Sequence, residues 1–203
     1  MDKIIKITML KKKEVKKLTG NEFFKNNNFS ILEFWQYGFS NLNSNVLRGS
    51  LAEFIVENLL KDKDEIGIRD PWDDYDVLYK DKKIEVKCSS YIQDWNQEDF
   101  SKIIFSGLKA KDLYWSKAMG EFNKDNKKDY KADIYVLCFV DHKDIETLDL
   151  LDLEQWSFFI LTKEQLKNIS NDGSSISLTK LEKNDVASIK YVEVKEYIDN
   201  IIE

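Results

Sequence analysis

Apolar residues in this chain fall into short blocks separated by charged stretches, and the blocks carry two different periods. Positions 31–39 (ILEFWQYGF) read as a helix bound to the core, after a loop at the Asn-rich patch 26–28. Ser44 is a good N-cap for a longer helix running to about Leu60. From 74 to 89 apolar and polar residues alternate around a central break, the pattern of a strand–turn–strand unit. Further strands are expected at 101–106 (SKIIFS), 133–140 (DIYVLCFV) and 156–161 (WSFFIL), with a short helix at 163–169. The segment 109–130 is too charged for a core, and reads as a helical excursion or a mobile loop. The tail 186–202 joins a strand-like VEV to a helix-like EYIDNII.

Helix first, hairpin next, then more strands and helices predicts an α/β or α+β sandwich around a mixed sheet. Seven glycines and one proline announce no flexible linker, so 203 residues are expected to form a single domain. A hydrophobic content of 42% excludes a disordered chain. No apolar run approaches the ~20 residues of a membrane span, and no secretory leader is visible, so a cytoplasmic protein is expected. Cys88 and Cys138 lie in apolar, strand-like runs and read as reduced, buried thiols. His142 is the single histidine, which argues against a His-rich zinc site or a His-dependent triad. Any chemistry here must rest on carboxylates, lysines and hydroxyls.

Charge changes the picture only locally. The net charge of −6 does not advertise a nucleic-acid binder, yet residues 1–20 hold seven lysines against Asp2 and Glu14. That lysine block reads either as a solvated tail or as an arm that contacts phosphate.

The hairpin DDYDVLYKDKKIEVKCSS, residues 73–90, carries the chemistry. Pairing its strands around a loop centred between Lys80 and Asp81 sets Val77 opposite Ile84 and Tyr75 opposite Val86, an apolar face. The other face then opposes Asp76 to Glu85, with Lys87 two residues along. Like charges directly opposed across strands are destabilising, and a divalent cation between the carboxylates is the natural compensation. The rival reading is three ordinary solvent-facing charges on an edge hairpin. A second near-copy of the pattern, Asp185, Glu193 and Lys195, has an odd offset and no room for an opposing strand, so it reads as coincidence.

Asp76 followed by Glu85-Val86-Lys87 on the next strand resembles the PD-(D/E)xK, or restriction-endonuclease-like, nucleases. So does the helix Arg48-Gly49-Ser50-Leu51-Ala52-Glu53-Phe54 upstream, and so do the small hydroxyl residues of IEVKCSS. The matched region spans about 44–106. The resemblance implies a mixed sheet of about five strands flanked by helices, with a nuclease-like core over about 44–161. A helical extension would precede that core and a strand/helix extension would follow it. It implies that Asp76 and Glu85 hold Mg²⁺ (Mn²⁺ substituting), helped by the Val86 carbonyl and by Glu53. Lys87 would position or help deprotonate the attacking water. The departures are Tyr75, where the family has proline, and Asp74, a rival for the first carboxylate on the same hairpin face. Asp73 falls on the opposite face. Glu53 reads equally as half of a solvated pair with Glu57, and Arg48 as a surface arginine or a phosphate contact.

The resemblance implies a Mg²⁺-dependent endonuclease acting on DNA, double-stranded by expectation, in a restriction, repair or mobile-element setting. An RNA or branched substrate is left open, and a homodimer would suit double-strand cleavage. The alternative is a non-catalytic protein that keeps the fold for nucleic-acid binding or assembly. Ser89 and Ser90 read as phosphate donors or turn residues. Gln93, Trp95 and Gln97 read as nucleic-acid contacts, and Trp72 as a stacking or a packing residue.

Overall fold

A computed structural model describes residues 13–70, 73–116 and 121–203, with the backbone alone between 112 and 127. By their contacts the residues divide into two units, Met1–Ser40 and Asn41–Glu203. In the first, a turn closed by the Phe23–Ser30 bridge leads into helix α1 (Ile31–Phe39). Ser30 and Glu33 cap that helix reciprocally, satisfying two of its free N–H groups.

The second unit carries the main sheet. It holds strands β1 (Val77–Tyr79), β2 (Lys82–Ser90), β6 (Ile134–Val140) and β7 (Trp156–Thr162) in the order β1-β2-β6-β7. Between them in sequence lie β3 (Ile104–Ser106), β4 (Ala110–Ser116) and β5 (Glu121–Asp129). The β1/β2 and β6/β7 pairs are antiparallel and β2/β6 is parallel, so the sheet is mixed. Every residue of β6 is buried, as its unbroken apolar run demands of a strand covered on both faces.

One face packs under helix α2 (Asn45–Leu60) and the C-terminal helix α5 (Val194–Ile202), through Ala52, Val56, Ile84, Val136 and Ile198. The other packs under helix α3 (Lys163–Ser170) and helix α4 (Leu178–Lys183), through Leu137, Phe159, Leu166 and Leu181. Ser44 caps α2 by accepting from Leu47 N–H, at the position the sequence predicts. Among the described residues no helix is long and apolar enough to cross a membrane.

The α/β architecture and its mixed sheet agree with the sequence reading, and several details differ. The main sheet has four strands rather than about five. The expected strand at 101–106 shrinks to β3, which leaves the sheet and pairs with β8 (Ser175–Ser177). The charged segment read as a helix or loop is the antiparallel hairpin β4–β5, whose backbone satisfies its own hydrogen bonds without needing a core. VEV is no strand. Tyr191–Glu193 makes a 3₁₀ turn and Val194 opens α5, because Val194 and Ile198 bury together at helical spacing.

Candidate functional site

The hairpin closes as its alternation predicts. Lys80 (φ 46°) and Asp81 (φ 62°) form a two-residue loop with both residues left-handed, the turn that matches strand twist. It sets Val77 against Ile84, Leu78 against Lys83 and Tyr79 against Lys82. β1 then gives out. Asp76 N–H still donates to Ile84 C=O at 3.0 Å, but the next ladder bond is made by a side chain: Val86 N–H donates to the Asp76 carboxylate at 2.8 Å. Beyond Ile84, no strand among the described residues pairs with the outer side of β2. A residue's N–H and C=O point to the same side of a strand, so the Val86 carbonyl faces that open edge beside Asp76.

The ending of β1 revises two expectations. Tyr75 does not pair with Val86 on the apolar face; it is half-buried, and the Lys83 ammonium lies 5.5 Å from its ring centre. Asp73, placed by strand parity on the far face, shares a cleft with Asp74, Asp76 and Glu85, because parity lapses where the strand ends. This acidic cleft of about 330 Å³ is walled by Tyr135, Lys111 and Lys131. Asp74 is exposed, whereas Asp76 is half-buried.

Burial raises the Asp76 carboxyl to about 6, and the Glu85 charge adds to the rise; Lys87 and the Val86 N–H oppose it. Lys87 Nζ is ion-paired with Glu85. Gly107 turns with φ 73° beside Lys87, and a Cβ there would sit 3.8 Å from Lys87 Cε. Tyr135, the register partner of Glu85 across the parallel pair, is buried, and its hydroxyl is pushed up to about 12 by burial, the Glu85 charge adding to the rise.

Glu53 stands differently from the expectation. Its carboxylate is gripped by Arg69, Nε on one oxygen and Nη2 on the other at 2.8 Å. Its charge is felt at Asp76, yet among the described residues no group of three or more His, Cys, Asp or Glu is arranged to hold a metal. Asp76, Glu85 and the Val86 carbonyl nevertheless suit Mg²⁺, which takes one or two carboxylates and completes its shell with water and phosphate oxygens.

Arg48 is not the surface arginine of the sequence reading. It is 3% exposed, and donates to Asn43 C=O (2.7 Å), Asn43 Oδ1 (3.0 Å), Asn45 Oδ1 (2.5 Å) and Gln93 Oε1 (2.8 Å). Gln93 and Gln97 are likewise committed inward. Gln93 Nε2 donates to Ser90 C=O, while Gln97 accepts from Gln93 N–H and donates to Tyr91 C=O and Ser101 Oγ. Ser90 serves the turn, donating to Ile92 C=O, and Ser89 faces the cleft beyond Lys87. Burial pushes the Cys88 thiol up to about 12, and it also raises Cys138, its register partner, well above the usual thiol range. Both are free and poor nucleophiles. In the near-copy, Asp185 sits in a left-handed turn and Lys195 Nζ bonds Leu60 C=O and Tyr79 Oη, so no second site forms. Trp72, and most of the lysine block at 1–12, lie outside the described residues.

Sequence reasoning overlooked Tyr135, Gly107, Lys111 and Lys131. Each reaches the site through a pairing or loop distant in sequence, and only the left-handed preference of Gly107 left a local signal. No protein-family model, no curated protein and no solved structure matches the chain.

Proposed function

We propose that this chain is a Mg²⁺-dependent nuclease that hydrolyses DNA phosphodiester bonds, working in the manner of the PD-(D/E)xK enzymes it resembles. One observation carries the reading. A half-buried carboxylate, Asp76, is held across an open strand edge from Glu85, with Lys87 beside both and the Val86 carbonyl facing the same edge. Lys87 is bonded to Glu85, yet the Glu85 charge still adds to the rise of the Asp76 carboxyl, and a divalent ion would relieve that repulsion.

Asp76, Glu85 and the Val86 carbonyl would hold the metal. When bound, it supplies a lowered pKa for an attacking water and charge neutralisation at phosphorus. The protein's own groups do the rest. Lys87, ion-paired with Glu85, would orient the attacking water by donating a hydrogen bond to it. Gly107 permits the close turn of chain beside Lys87. Lys111 and Lys131, on the wall of the acidic cleft, offer cations to the phosphates on either side.

The test is supercoiled plasmid incubated with the protein and Mg²⁺. Nicking that disappears in Lys87→Ala is the expected outcome; no nicking by wild type, or equal nicking by the variant, overturns the reading.

A second reading has its own support. Glu53 is occupied by Arg69 and Glu85 by Lys87, so two of the expected site carboxylates are charge-compensated by the protein itself. A protein that keeps the fold for nucleic-acid binding or assembly would need no more. It predicts DNA binding that is unchanged in Asp76→Asn and Glu85→Gln, and no Mg²⁺-dependent rise in melting temperature.

A further inference from the structure

A second cleft, of about 480 Å³, adjoins the acidic one where Glu85 meets Lys87, and its character is opposite. Its floor is the open edge of β2 at Val86–Ser89, one wall is the start of α2, and the other is the loop 91–102 running into β3. That volume lies within the roughly 300–1,000 Å³ of ordinary ligand sites.

Three observations fix what it suits. The first is charge. Arg48 lines the cleft and meets neutral partners, amide oxygens and the Cys88 thiol, with no carboxylate in ion-pair range among the described residues. A guanidinium cannot shed its proton, so a full buried charge stands behind the opening, where low-dielectric walls focus its field outward. Lys102, exposed at the rim, adds a second cation, whereas the one carboxylate lining the cleft, Glu53, is neutralised by Arg69.

The second is rigidity. Gln93 and Gln97 tie the loop to Arg48, Ser90, Tyr91 and Ser101, so its ordering entropy is met before any ligand arrives. The third is Trp95. It lies on that pinned loop with 54% of its surface exposed, lining the cleft. A flat aromatic face held beside focused positive charge, with Ser89 and Ser101 as hydroxyl donors, combines the two elements that bind an unpaired nucleic-acid strand: a stacking platform and a phosphate-tracking groove.

We propose that this cleft is the track for a single-stranded stretch of nucleic acid, taking the nucleotide next to the scissile phosphate, its base stacked on Trp95 and its phosphate drawn toward Arg48 and Lys102. A base inside a duplex has both faces covered by its neighbours, so Trp95 selects a strand that is unpaired or frayed. The position of the track relative to a scissile bond rests on the nuclease reading; the binding itself does not.

The experiment is fluorescence anisotropy with the full chain in EDTA, using labelled oligothymidylate, oligouridylate and a short DNA duplex. Wild type is expected to bind a single strand more tightly than the duplex, and the two single-strand arms tell DNA from RNA. Trp95→Ala should weaken that binding about tenfold at an unchanged melting temperature, and Trp95→Phe should restore most of it. Lys102→Ala should weaken binding and flatten its salt dependence. Binding by Trp95→Ala equal to wild type, a preference for duplex, or no binding at all overturns the proposal. Plasmid nicking with an indifferent Trp95 removes the track and spares the nuclease; a working track without nicking removes the nuclease and spares the track.

Discussion

The Asp76 carboxylate accepts a 2.8 Å hydrogen bond from the Val86 N–H, so a side chain takes over the ladder where strand β1 gives out. That bond spends one carboxylate lone pair and leaves the rest aimed at the open edge, next to Glu85. Asparagine can keep the same acceptor while losing the charge. Asp76→Asn should therefore fold, with a metal-free stability at pH 8 equal to or above that of wild type, because like-charge opposition to Glu85 is gone. It should also lose the rise in melting temperature that Mg²⁺ or Mn²⁺ gives wild type. Asp74, exposed on the same cleft, is the control: Asp74→Asn should keep that rise. The opposite pattern would make Asp74 the first ligand.

The raised Asp76 carboxyl makes a pH prediction of definite sign. Its value in the metal-free fold is about 6, against an ordinary 3.8, so the folded state holds the proton more tightly than the unfolded chain. The resulting stabilisation is complete below the ordinary value, shrinks as pH climbs through 6, and is absent above it. Two units and a fraction correspond to roughly 3 kcal/mol. Besides burial, the groups that set it are Glu85 and Glu53, which raise it, and Lys87 and the Val86 N–H, which lower it. In EDTA, melting from pH 4.5 to 7.5 should show wild type losing stability relative to Asp76→Asn across that window. Parallel curves would show that Asp76 titrates as an ordinary surface acid.

Lys87 should separate chemistry from metal binding. It is ion-paired with Glu85 yet supplies no metal-ligating atom, so Lys87→Ala should keep a Mg²⁺-induced melting shift. Losing a positioned ammonium should lower the nicking rate by about 10²-fold or more. A variant that nicks at the wild-type rate would make Lys87 a bystander that merely neutralises Glu85.

What could be read from the chain and what could not divide along the range of the interactions. The β1–β2 register was legible because strand parity and a two-residue turn are local, and because Val77 and Ile84 must share a buried face. The runs of β6 and β7 were legible because strands covered on both sides are almost wholly apolar, Ser157 being the polar break inside β7. The fate of 109–130 was not, since charge marks exposure without distinguishing a loop or helix from a two-stranded hairpin. Nor was the pairing of β3 with β8, which joins segments some seventy residues apart. The same limit governs the site. Asp76, Glu85 and Lys87 were placed by alternation alone, but the Arg69 grip on Glu53 and the proximity of Tyr135 to Glu85 arise from tertiary contacts. Arg48 looked like a surface residue because nothing local announces that Gln93, 45 positions on, closes its shell.

That shell supports the last prediction. Arg48 brings a full charge into the protein and is stabilised there by oxygens from Asn43, Asn45 and Gln93, three neutral residues that are themselves satisfied by it. Replacing it with methionine removes the donor from all of them; exposed Asn45 can turn to water, but the partly buried oxygens of Asn43 and Gln93 are orphaned, and each such orphan costs about 1–3 kcal/mol. Arg48→Met should therefore lower stability by several kcal/mol, despite removing a buried charge. Lysine should not rescue it, since one ammonium cannot reproduce a planar fork reaching four acceptors. Because Gln93 is released, the loop bearing Trp95 should loosen too, with faster amide exchange at 91–102 than in β6. Urea denaturation and hydrogen exchange on Arg48→Met and Arg48→Lys check both parts. Full stability in the lysine variant would mean that charge, rather than the fork geometry, holds the loop in place.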